Sequence, residues 1–227
     1  MEFRIVHAGD AAVLIELPAR IDPGISDRAV ALAAAVRREC ASIVRDVVVG
    51  YCTLTVFFDP LSVPAERVEE AVADLARAAA APEPVPAALV DVPVCYGGEE
   101  GPDLGSVATS AGLSEDEVVA IHSRATYRVY VVGFVPGFPY MASVDPRLAL
   151  PRRANPRTRV PAGSVAIAAG QTGIYPSATP GGWHLIGRTP LKPYDAARPV
   201  PFAFQPGNRV RFHPIDRETF QRESQWP

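Results

Sequence analysis

Between Pro136 and Pro193 lie seven basic residues, Arg147, Arg152, Arg153, Arg157, Arg159, Arg188 and Lys192, and a single acid, Asp145. The segment carries a net charge of +6 in a chain of net −3, which leaves −9 for the remainder. Guanidinium groups bind carboxylates and phosphates through paired hydrogen bonds, so a local excess of arginine in an acidic protein points to an anionic small molecule. The competing reading is a solvated basic face, or arginines paired with acids of the other domain, because surface ion pairs are common and weak. The same stretch holds rigid loops at 133–140, 170–176 and 179–183, built from glycine, proline and aromatic residues. Glycine permits close backbone approach and proline fixes turns, so such loops can hold Gln171, Tyr175, Trp183 and His184 beside the arginines. They also suit the plain turns of a tight barrel, with Trp183 and Tyr140 as core anchors.

Several chemistries are unsupported. The chain has no H-E-x-x-H, G-x-S-x-G, G-x-G-x-x-G or EF-hand pattern. Leu191 precedes Lys192, the only lysine, so there is no phosphate-binding loop of the G-x-x-x-x-G-K type. The four histidines, His7, His122, His184 and His213, lack metal-ligand spacing, and Cys40, Cys52 and Cys95 form no C-x-x-C pair, so no metal site is expected. An isoelectric point of 5.8 argues against nucleic acid, for which a value above about 9 is the usual footprint. No apolar run reaches the roughly 18 residues of a membrane helix, and the N-terminus lacks a signal-peptide pattern, so no membrane and a cytoplasmic location are expected.

The elements that must position these residues fall into two styles. With 227 residues, 48% hydrophobic, the chain can bury a substantial core. Only nine of the 24 prolines lie in residues 1–126, and fifteen lie beyond, so the C-terminal part must be short strands and ordered turns. Up to residue 96 the periodicities run β-β-α-β-β-α-β, with Asp22-Pro23 opening the first helix and Pro64 the second, which suggests a small α+β sandwich, ferredoxin-like in spirit. Residues 81–86 read as a stiff linker. Ser114 and Glu117 form a capping box for a helix running to about Ser123. From Tyr127 onward, short strands punctuated by turns suggest a closed or nearly closed barrel. The residues after Ile215 read as a polar surface segment.

Residues 133–140 (GFVPGFPY), 156–165 (PRTRVPAGSV), 171–176 (QTGIYP) and the run from Pro180-Gly-Gly-Trp183 to Ile186-Gly-Arg-Thr-Pro190 resemble the B-subunit family of bacterial 5-oxoprolinase, also called KipI or allophanate hydrolase subunit 1. Val92-Pro-Val-Cys-Tyr-Gly-Gly98 and the Ile121-His122 pair match as well, so the resemblance covers nearly the whole chain. It departs at Met141–Val144 and Ala168–Gly170, where the family places glycine differently.

The resemblance implies an α+β fold class, with an N-terminal ferredoxin-like domain over 1–88 and a C-terminal cyclophilin-like β-barrel over 89–227. It implies a complex with a larger homologous C subunit, of the KipA or allophanate hydrolase subunit 2 type, together with an A subunit. The three use ATP to open the lactam of 5-oxo-L-proline to L-glutamate. In that picture the B and C subunits activate the lactam by phosphorylation, the A subunit hydrolyses it, and this chain is inactive alone. Arg157 and Arg159 are then expected to bind carboxylate or phosphoryl oxygens, while Gln171 and Tyr175 orient the lactam. His122 or His184 would transfer the proton, His122 matching the family pattern. Arg152, Trp183 and Arg188 complete the expected substrate-binding set. Other readings are a component of a urea carboxyltransferase, a binding module that inhibits a histidine kinase, and a prolyl isomerase; the last rests on fold alone.

Overall fold

The computed structural model describes residues 2–78, 87–224 and 226. The chain divides into two compact units, Met1–Ala87 and Ala88–Pro227.

In the first unit β1 (Arg4–His7) and β2 (Ala12–Glu16) form an antiparallel hairpin whose turn needs Gly9 at a φ of +75°. Asp22 caps α1 (Pro23–Glu39) by accepting from the Ile25 N–H, and Pro23 occupies the first turn, where its missing donor costs nothing. Helix α1 buries Ile25, Ala29, Leu32, Ala33 and Val36 along one stripe, and α2 (Ala65–Ala78) buries Val68, Val72 and Ala76. Leu75 of the expected α2 stripe packs partly buried, and its last member, Ala79, lies outside the described residues, as does the 81–86 linker. Strand β3 (Asp46–Val49) begins later than its apolar run suggests, because the Ile43 and Val44 N–H groups bond the Cys40 carbonyl and turn the chain out of α1. With β4 (Thr53–Phe57) the strands make one antiparallel sheet in the order β1-β2-β4-β3.

The second unit is built on a closed seven-stranded barrel in the order β10-β7-β6-β13-β5-β12-β9. Its strands are β5 (Leu89–Tyr96), β6 (Thr126–Val132), β7 (Pro139–Ala142), β9 (Ser164–Ala168), β10 (Gln171–Ile174), β12 (His184–Arg188) and β13 (Arg209–Pro214). The strand at 89–96, which the element order groups with the first unit, runs in the barrel instead, parallel to β13 and antiparallel to β12. Helices α3 (Leu104–Ala111) and α4 (Glu115–Arg124) lie between β5 and β6, and the Ser114–Glu117 capping box is present at the start of α4. A separate two-stranded ribbon joins β8 (Arg157–Val160) to β11 (Thr179–Gly181). The final segment is not a polar strand of surface chain: α5 (Arg217–Glu223) buries Phe220, and the Trp226 indole N–H donates to the Thr189 carbonyl at 2.8 Å. No helix among the described residues is long and apolar enough to cross a membrane.

Alternation of side chains gives the barrel two apolar layers. Val165 and Ile167 of β9, Ile174 of β10, Ile186 of β12 and Met141 of β7 share one core with Val92, Val94, Val129 and Phe212. Their neighbours Ala166, Ala168, Leu185 and Phe138 join Val160, Tyr175 and Trp183 in a second, aromatic-rich layer. Strand β9 is therefore buried on both faces.

Gly101 locks the turn between β5 and α3 onto β12. A Cβ there would collide with the Ile186 carbonyl and with the Gly97 backbone, neither of which can yield. Gly101→Ala is expected to cost roughly 3 kcal/mol, read as a lowered midpoint in urea unfolding. A variant as stable as the parent would show that the turn is not fixed by this contact.

Candidate functional site

The feature that gathers the arginines is an acid outside their segment. Asp103 stands at the N-cap position of α3, yet its side chain makes no capping hydrogen bond. Its carboxylate instead accepts four N–H bonds. Oδ1 takes Arg153 Nη1 and Arg157 Nη2, each at 2.8 Å, and Oδ2 takes Arg157 Nη1 at 2.8 Å and the Leu185 backbone N–H at 2.7 Å. Four is about the acceptor capacity of a carboxylate. Asp103 is only 4% exposed. Burial alone would raise its pKa, but the Arg157 bonds, the Leu185 N–H and the charges of both arginines outweigh it and hold the carboxyl below its ordinary value.

The backbone is tied at the same place. Asp103 N–H donates to the Leu185 carbonyl at 2.9 Å, and Arg153 N–H donates to the Gly182 carbonyl at 2.8 Å. Three chain segments, the start of α3, the 151–157 stretch and β12 with its approach, thus meet at one carboxylate.

The aromatic layer adjoins this cluster. Phe138 packs at 4.7 Å from Tyr140, 5.1 Å from Tyr175 and 5.5 Å from Trp183, the last two edge to face. Burial raises the pKa of both tyrosines, against which the positive charge of Arg152 acts on each, and that of Arg157 on Tyr175. Gln171 and Gly173 alternate with the inward-facing Thr172 and Ile174 on β10, and a Cβ on Gly173 would strike the Phe138 ring, which puts Gln171 on the aromatic side of the strand. Phe134, in a turn at a φ of +65° and 64% exposed, stands 5.9 Å from Phe138 at the open margin of the layer.

Of the sequence-predicted residues, the fold brings Arg152, Arg157, Tyr175 and Trp183 together, with Gln171 on the same side of the barrel wall. Arg159 follows two residues after Arg157 on β8, exposed and with no hydrogen-bond partner among the described residues. His184 donates Nε2–H to the Pro151 carbonyl at 2.9 Å, while its Nδ1 is buried without a partner. Arg188 is committed elsewhere: Nε donates to the Ala162 carbonyl at 2.7 Å, Nη1 faces Glu100 at 3.4 Å, and the group stacks over Phe220.

His122 lies inside the barrel, fully buried between Tyr127 and Phe212. Thr172 Oγ1 gives its proton to the Ala166 carbonyl, so it accepts from His122 Nε2–H at 3.0 Å, and Tyr96 O–H donates to Nδ1 at 2.8 Å. Burial lowers its pKa to about 3, so the ring is neutral and holds α4 to β10. It reaches the aromatic side only through β10.

Sequence reasoning missed Asp103 outright and left Arg153 without a role. Asp103 before a helix carries only the signal of an ordinary N-cap.

The model of the family described as carboxyltransferase domain, subdomain C and D, matches residues 3–204. The chain is 36% identical to the B subunit of 5-oxoprolinase from Bacillus subtilis (strain 168), over 97% of this chain and 96% of that one. The chain belongs to the 5-oxoprolinase B-subunit family. The protein of the same name from Escherichia coli O157:H7 is 55% identical over a shorter stretch, 56% of this chain and 58% of that one. Among solved structures, that of TTHA0988 superposes with a TM-score of 0.80 at 39% identity, covering 90% of this chain. This chain spans only 40% of the length of TTHA0988.

Proposed function

We propose that this chain is the B subunit of an ATP-dependent 5-oxoprolinase, working with a larger homologous C subunit, and with an A subunit, to convert 5-oxo-L-proline to L-glutamate. The observation that carries the reading is the match, over nearly the full length of both chains, to a B subunit of 5-oxoprolinase. The arginine cluster on Asp103 supplies a site of matching chemistry.

The geometry supports a role for each of these residues. Arg157, held in place by Asp103, and Arg159 beside it present N–H groups to a carboxylate or to phosphoryl oxygens. Phe134, exposed, and the partly buried Tyr140 and Val135 offer apolar surface for a five-membered ring at the margin of the layer that the buried Phe138, Tyr175 and Trp183 hold rigid. Gln171 and Tyr175 orient the amide, and Arg152 adds a positive charge that acts on Tyr140 and Tyr175. His184, next to Trp183 and bonded to the Pro151 carbonyl beside Arg152, lies nearer the cluster than the enclosed His122 and is the candidate for proton transfer. The arginine N–H groups fit phosphoryl oxygens, and ATP would supply the activation of the lactam carbonyl. With no phosphate-binding loop in the chain and the remaining machinery expected on the other subunits, the chain by itself is inactive.

Two structural names belong to the same proposal. The order β1-β2-β4-β3, with α1 and α2 following β2 and β4, is that of a ferredoxin-like domain whose last strand has moved to the front, and it supports that description for residues 1–88. The closed barrel supports the cyclophilin-like description for 89–227.

Co-expression with C-type and A-type subunits, followed by measurement of ATP-dependent glutamate release from 5-oxo-L-proline, tests the reading. Release should vanish when this chain is omitted. Release that persists without it, or none from the assembled complex, would move the assignment to carboxyl transfer or to a regulatory binding module.

A further inference from the structure

The Asp103 cluster is more than an ion pair. Removing a carboxylate from water is costly, and buried ion networks are often no more stabilising than apolar side chains of the same volume. An aspartate at an N-cap would ordinarily accept from the next turn of its own helix, a stabilising arrangement that Asp103 forgoes. What it gains is control of two side chains that come from 50 and 54 residues away. Asp103 takes two of the five N–H groups of Arg157 and one of the five of Arg153, and with Arg153 Nε buried the donors left to a ligand are three on each side chain. Both arginine side chains keep solvent contact, at 32% and 25% exposure, while the carboxylate between them has none of its acceptor capacity left over.

The three charges sum to +1, on two planar donor forks held in fixed orientation. Such a receptor matches one planar carboxylate, which accepts parallel N–H bonds. The margin of the adjoining aromatic layer, at Phe134, Val135 and Tyr140, supplies apolar surface for the body of the ligand.

We propose that Asp103 is a positioning residue that fixes Arg153 and Arg157 as a single receptor for the carboxylate of the lactam substrate. The proposal deepens the 5-oxoprolinase reading and rests on it for the identity of the ligand. It adds Arg153 as a substrate-contacting residue and gives the site a means to distinguish 5-oxo-L-proline from a lactam without a carboxylate.

The test is calorimetric binding to the assembled complex, with 5-oxo-L-proline, 2-pyrrolidinone (the same lactam without the carboxylate) and inorganic phosphate as probes, followed by turnover of the two lactams. The parent complex should bind 5-oxo-L-proline at least tenfold more tightly than 2-pyrrolidinone. Asp103→Asn keeps the shape of the side chain but loses its charge and turns one accepting oxygen into a donor, and should reduce that preference at least fivefold while 2-pyrrolidinone binding is unchanged. Arg153→Gln leaves Asp103 its Arg157 and Leu185 bonds, so it keeps the fold and should show the same loss even where Asp103→Asn fails to assemble. An unchanged preference in Arg153→Gln, or an equal loss for both lactams, would overturn the proposal and leave the cluster a structural device. Phosphate that binds together with 5-oxo-L-proline, without displacing it, and loses that binding in Arg153→Gln would assign the receptor to phosphoryl oxygens and likewise overturn it. Selective binding without any turnover would instead sink the reaction assigned above and leave the receptor standing.

Discussion

Replacing Arg157 with alanine should lower kcat/KM of the assembled complex for 5-oxo-L-proline by roughly 100- to 1,000-fold, the usual consequence of deleting one preorganised donor from a catalytic site. The size of the effect comes from preorganisation. Arg157 is held by two 2.8 Å bonds to Asp103, so its remaining N–H groups point in one direction before any ligand arrives. The fold should survive, because Asp103 keeps Arg153 and the Leu185 N–H. Arg157→Lys should recover only part of the loss, since a lysine supplies charge without the planar fork. The measurement is steady-state turnover of both variants beside their unfolding midpoints. Wild-type turnover from a folded Arg157→Ala complex would remove Arg157 from the site.

His122→Ala should be the most destabilising single change in the barrel, by about 4 kcal/mol in denaturant unfolding followed by tryptophan fluorescence. It opens a cavity between Tyr127 and Phe212 and leaves the Tyr96 hydroxyl without its acceptor. His122→Gln, which keeps a donor for Thr172, should lose less. The pH dependence carries the same signature. The folded-state pKa is lowered to about 3 from an ordinary 6.5, so below pH 6.5 the unfolded chain binds a proton that the folded chain refuses. Stability from this group is complete above pH 6.5 and falls by about 1.4 kcal/mol per unit as the solution is acidified towards pH 3, or about 2 kcal/mol between pH 8 and 5. Both variants should lack that component. A His122→Ala protein within 1 kcal/mol of the parent, or with an unchanged pH slope, would mean that the Tyr96–His122–Thr172 chain does not hold the barrel.

The two predictions separate what a histidine and an arginine do here. The family resemblance favours His122 as the proton carrier and makes Arg157 a fixed fork for an anion, without saying what fixes it. In the structure His122 is neutral and enclosed, while Arg157 is fixed by a carboxylate that no local pattern connects to it.

Local signals carried the elements. Asp22-Pro23 and the Ser114–Glu117 box mark helix starts because capping joins residues only three apart, and both are present as hydrogen bonds. The proline-rich second half had to be strands and turns, since each ring removes a donor and fixes φ, and the barrel obeys this. The family was legible for a related reason: tight loops such as 133–140 and 171–176 need particular glycines, prolines and aromatics at particular places.

What the sequence by itself determined, then, is most of the elements up to residue 132, the strand-and-turn character of the proline-rich part, the family and the arginine-rich, acid-poor nature of one stretch. Only the tertiary structure decided which arginine meets which acid. Asp103 is separated from Arg153, Arg157 and Leu185 by 50, 54 and 82 residues, and closure of the barrel alone makes them neighbours. The same holds for His122, whose partner Thr172 lies 50 residues on, and for Phe220 and Trp226, which leave a polar-looking tail to pack on loops of the barrel unit. Propensity and capping act within a turn or two of chain, whereas the partner of a buried charge is set by whichever strands the closed sheet brings side by side.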